Sequence, residues 1–175
     1  MKFYFKIIDL IAKVVAKFLM VLVVSLVFVV FANIVLRYFG KPIRWADEMA
    51  RLLFVWTSFL GMYFAYSKNL HPSFNLILNK VGRKNPSSGR ILIVITYVLV
   101  LSFLIIVLYG GIVYIGLAKI QTTAVLRMSV GWMYAAAPVS MFFMILETFR
   151  KFFLLLQAEN AQLFLEKGSN VKVGL

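Results

Sequence analysis

Residues 18–36 read FLMVLVVSLVFVVFANIVL, a run broken only by Ser25 and Asn33. Such a run cannot be covered by the rest of a short chain in water. In a bilayer, roughly 20 apolar residues in a helix cross the ~30 Å hydrocarbon layer and satisfy their own backbone hydrogen bonds. Three further segments repeat the pattern, over about 45–66, 91–118 and 130–150. At ~1.5 Å per residue the 91–118 segment is longer than the hydrocarbon is thick, so it must tilt or project. The pattern predicts an all-α integral membrane protein with four transmembrane helices in a single membrane domain, 1–175. Composition agrees: 63% of residues are hydrophobic and 14% charged, against about 45–50% and about 25% in ordinary globular domains.

The opening 17 residues are of another kind. Lys2, Lys6, Asp9, Lys13 and Lys17 fall in one stripe of a helical wheel, with Phe3, Tyr4, Ile7, Ile8, Leu10, Ile11, Val14 and Val15 opposite. This predicts an amphipathic interfacial helix over 1–17, with its lysines on lipid headgroups. A lysine-rich start before an apolar run also suggests a signal peptide. The run is longer than a ~7–15 residue signal core and no small-x-small cleavage site follows, so the helix is expected to stay. At the other end, 157–175 reads as a polar tail.

The net charge of +13 does not indicate nucleic acid, because the basic residues flank apolar runs. Thirteen of the nineteen Lys and Arg lie in 1–17, 67–90 and 150–175, and six lie in 37–51 and 119–129. The positive-inside rule then places both termini in the cytoplasm, in a multi-pass protein of the bacterial inner membrane. Trp45 and Trp132 fall on the outer side as interfacial aromatics.

The chain has no cysteine, one histidine and six carboxylates, too little for thiol, thiolate-metal or acid–base chemistry, and no enzyme activity is expected. The apolar runs within these segments, 18–36, 52–66, 91–118 and 130–146, are read as free of ionisable groups, whereas carriers coupled to protons or ions usually hold one inside a span. Attention therefore goes to 37–56, RYFGKPIRWADEMARLLFVW. Pro42 should end the first helix. Asp47 and Glu48 then occupy the first turn of the next, where the helix dipole favours carboxylates. Arg44, Asp47, Glu48 and Arg51 have the spacing for i,i+3 and i,i+4 pairs, and Arg37 can join across the turn. Ser58, Gly61 and Ala65 continue down that face and permit close helix approach. Pro138 should kink the last helix. A lone His71 in the 67–90 loop reads as a loop hydrogen-bonder.

The stretch NIVLRYFGKPIRWADEMARLLFVWTSFLG resembles the signature of the small membrane subunit of TRAP (tripartite ATP-independent periplasmic) transporters. The resemblance rests on Arg37, Tyr38, Trp45, Asp47, Glu48, Arg51 and Gly61, with Asp47 in place of a Glu. His71 continues it, while Pro72 and Asn75 depart from it. TTAVLRMSVGWMYAAAPVSMFFMILETFR resembles the family's last segment through Leu126, Trp132, Tyr134 and Pro138, with Ser129 where a proline is common. The resemblance implies an accessory subunit beside a large membrane subunit, in a one-to-one pair, served by a periplasmic substrate-binding protein. It implies import of an organic acid (a C4-dicarboxylate, a sialic acid or a similar carboxylate), with Na+ on the large partner and no cofactor in this chain. Arg37, Tyr38, Trp45, Asp47, Glu48, Arg51, Gly61, His71, Trp132 and Pro138 are then candidates for contact with subunit, binding protein or phospholipid. The alternative reading is a self-sufficient homo-oligomeric transporter or channel.

Overall fold

The computed structural model describes residues 2–68 and 86–157; His71 and the 158–175 tail lie outside the described residues. Among the described residues five helices follow in order: α1 Lys2–Tyr38, α2 Ala46–Ser67, α3 Pro86–Ala118, α4 Gly131–Tyr134 and α5 Ala136–Gln157. Among the described residues three stretches are long and apolar enough to cross a membrane: Tyr4–Tyr38, Val94–Ala118 and Gly131–Leu154. α2 has 22 residues, about 33 Å at 1.5 Å each, but Asp47, Glu48, Arg51 and a series of Trp, Tyr, Ser and Thr lower its hydropathy.

The amphipathic start is not a separate helix. It continues without a break into the first apolar run, giving a single helix of 37 residues. No proline or glycine intervenes, so the α-helical hydrogen bonds need not stop. Lys6, Lys13 and Lys17 are exposed as expected. Ile8 and Val15 are buried within the protein rather than offered to lipid.

The helices form a row. α1 packs on α2, α2 on α5, and α5 on α3, while among the described residues no Cα of α3 lies within 8 Å of α1 or α2. The core is where the row is thickest: Val15 and Leu22 of α1, Leu60 and Tyr63 of α2, Leu104 of α3, and Met141 and Met144 of α5. The outer sides of α1 and α3 carry exposed Val, Ile, Leu and Phe along their length, which suits hydrocarbon and not water.

Local chemistry sets the ends. α1 stops at a Schellman turn: Gly40 takes φ +72°, its N–H donates to the Arg37 carbonyl, and the Lys41 N–H donates to the Leu36 carbonyl. Only glycine adopts that φ without strain, and Pro42 then forbids a return to helix. Pro86 opens α3, a position where its missing N–H is not needed. Pro138 also lacks the N–H that Tyr134 would receive, and the chain breaks at Ala135, between α4 and α5. The expected kink is thus a break three residues upstream of the proline.

Gly111 is a close approach of α3 to α5; a Cβ there would lie 3.1 Å from Pro138 Cδ. At Gly61 a Cβ would meet nothing within 4 Å, so at this point the small-residue face of α2 meets no other helix among the described residues. Gly111→Val should therefore force the two helices apart and lower the thermal unfolding midpoint in detergent, by overpacking of about 1–3 kcal/mol. Gly61→Ala should leave the midpoint in place.

Candidate functional site

Polar side chains gather at both ends of the row. At the end formed by the α1–α2 turn and the α3–α4 loop, Asn33 is the organising residue. It is buried and uses both sides of its amide: Oδ1 accepts from the Ile43 N–H at 3.0 Å, and Nδ2 donates to Asp47 Oδ1 at 3.1 Å. Asp47 Oδ2 lies 3.7 Å from Arg37 Nη2, both side chains being exposed. Arg37 does join the cluster. Arg44 and Arg51 do not; among the described residues Asp47 pairs only with Arg37, because Asn33 draws its carboxylate toward α1.

Glu48 points away from Asp47, as neighbours on a helix must, and faces the α3–α4 loop. That loop is a small hairpin: Thr122 and Ser129 pair antiparallel, and the Thr123 N–H donates to the Met128 carbonyl. At its tip Arg127 takes φ +52°. Glu48 accepts from two consecutive tip amides, Val125 N–H on Oε1 at 2.9 Å and Leu126 N–H on Oε2 at 2.8 Å. Two charge-assisted bonds to one carboxylate fix both distance and orientation. Beyond the hairpin, Ser129 Oγ accepts from the Gly131 N–H and donates to the Lys119 carbonyl, and Trp56 Nε1 donates to the Trp132 carbonyl at 3.1 Å. The second helix thus holds the loop that leads into the last one. Tyr38, Trp45 and Trp132 are exposed around this end, Tyr38 by 87% and Trp132 by 60%. Pro138 is buried against α3 and cannot present itself to a partner.

The opposite end holds a cluster that the sequence reading missed. The segment Gly131–Leu154 contains Glu147, 2% exposed, and the buried Lys151, so this span does hold ionisable groups. Arg150 Nη1 lies 2.6 Å from Asp9 of α1 and 3.7 Å from Glu147. Lys151 Nζ donates to the Tyr66 carbonyl at 2.6 Å, near the C-terminus of α2, and sits 3.9 Å from the Tyr66 ring centre. A cation there meets the negative end of the helix dipole. The Thr148 hydroxyl donates to the Met144 carbonyl, which leaves the Tyr66 hydroxyl to donate to Thr148. The Tyr4 hydroxyl reaches the Leu146 carbonyl at 2.9 Å. Three helices are tied here through α5. The missed signal was the spacing Glu147, Arg150, Lys151, which puts all three on one flank of a mostly apolar helix. Among the described residues no three His, Cys, Asp or Glu side chains gather as a metal site.

Residues 26–158 match the family described as Tripartite ATP-independent periplasmic transporters, DctQ component. This chain belongs to that family. A Haemophilus influenzae protein with the name TRAP transporter small permease protein is 43% identical over 53 residues, covering 30% of this chain and 33% of that protein. The Vibrio cholerae protein named Sialic acid TRAP transporter small permease protein SiaQ is 27% identical over 123 residues, covering 67% of this chain and 66% of its own length. The family is one of transporter components and not of enzymes, and the matched stretch contains the Asn33–Asp47 and Glu48 contacts and the Glu147–Lys151 segment. It is a multi-pass membrane protein by family and by its three apolar spans.

Two outcomes follow. Glu48→Gln keeps an acceptor but loses the charge and half the fork, and should speed hydrogen exchange at the Val125 and Leu126 amides with little change inside α5; unchanged exchange at those two amides would refute the clamp. Arg150→Met strands Glu147 and should destabilise the protein by roughly 2–3 kcal/mol, below the ~3–5 of a fully buried pair because Asp9 is half solvated. Adding Glu147→Gln should restore most of that loss in a denaturation series.

Proposed function

We propose that this chain is the small accessory subunit of a sodium-driven, binding-protein-dependent TRAP transporter for an organic acid. Membership of the family over residues 26–158 is the observation that carries this reading. The relative with sialic acid in its name makes a sialic acid, or a similar carboxylate, the first substrate to try. In this reading α2 is a fourth span, both termini are cytoplasmic, and the α1–α2 turn with the α3–α4 hairpin faces the periplasm. The large permease subunit binds one copy of this chain and carries the Na+ and the substrate. Tyr38, Trp45 and Trp132 form the rim open to membrane headgroups and to the periplasmic binding protein. The lysines of the first turns of α1 meet the cytoplasmic headgroups.

The use of the polar residues supports the subunit reading over a self-sufficient carrier. Asn33, Asp47, Glu48, Tyr66, Thr148 and Lys151 all bond one element of this chain to another. Side chains engaged in that way hold shape; a permeation path needs polar groups free to exchange partners with its cargo.

The reading is tested by tagging the chain, expressing it with its genomic neighbours, and identifying what remains bound in mild detergent. A much larger multi-spanning protein at equal stoichiometry is expected, and a homogeneous homo-oligomer would instead support the carrier. With that partner present, Asp47→Ala/Glu48→Ala should cut uptake of the substrate while membrane insertion persists. Normal uptake would mean that the cluster serves neither partner.

A further inference from the structure

Arg51, like Arg44, is a basic residue of the 37–51 cluster that the ion pairs among the described residues leave unused. It is exposed and has no ion-pair partner among the described residues. Beside it runs an open groove of about 630 Å³ between α1, over Leu26–Ile34, and α2, over Ala50–Phe54. Leu26, Val27, Val30, Phe31 and Ile34 line one side. Of the eight lining residues Arg51 alone is charged.

Depth makes this arrangement informative. Arg51 lies five residues after the first residue of α2, about 7.5 Å along the axis. The headgroup zone on each side of a bilayer is ~5–8 Å thick. With Trp45, Trp132 and Tyr38 at the interface, the guanidinium therefore stands where the headgroup layer meets the hydrocarbon. The groove continues inward along α1 from Ile34 to Leu26, about 12 Å at ~1.5 Å per step. A cation at that depth needs an anion, and an aliphatic groove at that depth needs hydrocarbon. One class of molecule supplies both in this order, phosphate first and acyl chain below.

We propose that the α1–α2 groove is a binding site for an anionic phospholipid, with its phosphate held by Arg51 and one acyl chain laid against Val30, Ile34 and Phe54. Guanidinium suits this role because it engages phosphate oxygens in a fork. The site rests on reading α1 and α2 as spans and is independent of any transporter partner.

The test uses the whole chain alone, reconstituted with phosphatidylglycerol and followed by native mass spectrometry through stepwise delipidation. One phosphatidylglycerol per chain should outlast the rest. Arg51→Gln should weaken its retention about tenfold, and Arg51→Lys by less. Val30→Trp, which fills the groove from an already exposed position, should weaken retention with Arg51 intact, and Ile34→Trp should repeat the effect. Diacylglycerol, which lacks the phosphate, should be retained no better by the wild type than phosphatidylglycerol is by Arg51→Gln. Full retention in Arg51→Gln, or in both groove-filling variants, would overturn the site. So would a dimer in which a second copy covers the groove and excludes lipid. A failed co-purification with a large subunit would leave this result standing, so the two readings fail separately.

Discussion

Lipid removes the force that packs helices in water, because the hydrocarbon around a helix is as apolar as its neighbour. A row of four long helices in such a solvent needs something other than burial of Leu and Val to fix its register. Here that is done by a few polar bonds at the two ends. Asn33 and Glu48 tie the turn and the hairpin at one end. Lys151, Arg150, Tyr66 and Tyr4 tie the helices at the other. Between them the packing is largely apolar.

The two ends are unequal in kind. The Glu48 clamp joins a helix to backbone amides of a loop, so the identity of the loop's side chains matters little to it. The opposite end joins side chains on three helices and includes a buried carboxylate and two cations, where each group depends on the others. Change at the first end should be local, while change at the second should spread. α1 and α2 take part in both, α1 through Asn33 and Arg37 at one end and Tyr4 and Asp9 at the other, α2 through Asp47 and Glu48 at one end and Tyr66 at the other.

Much of this was legible in the sequence. Three of the four expected runs are long and apolar enough to span; α2 lies within a residue of its expected bounds and α3 ends at 118 as expected, though α3 starts at Pro86 and not near 91. The Arg37–Asp47 approach was also legible, since a turn of known length brings the ends of two helices together. The i,i+4 pairs predicted within α2 did not form: the rule weighs only neighbours on one helix, and Asn33 and the loop amides offered these carboxylates better partners across the fold. The grip of Glu48 on residues 125 and 126 spans 77 or more positions, and no local pattern reports that distance. Glu147 escaped notice because the last apolar run was read as ending just before it. The continuity of α1 escaped for a different reason: an amphipathic face can be covered by protein as well as by headgroups, and the wheel looks the same for both.

The order α1, α2, α5, α3 has a geometric consequence. Helices pack with axes about 8–10 Å apart, so four in a straight row extend roughly 25–30 Å between the outermost axes; the row is drawn in at the end where Tyr4 and Asp9 bring α1 against α5. The row also exposes two long flanks, and each of the inner helices reaches both. The outline is therefore longer in one direction than across it, and its polar ties sit at its two ends.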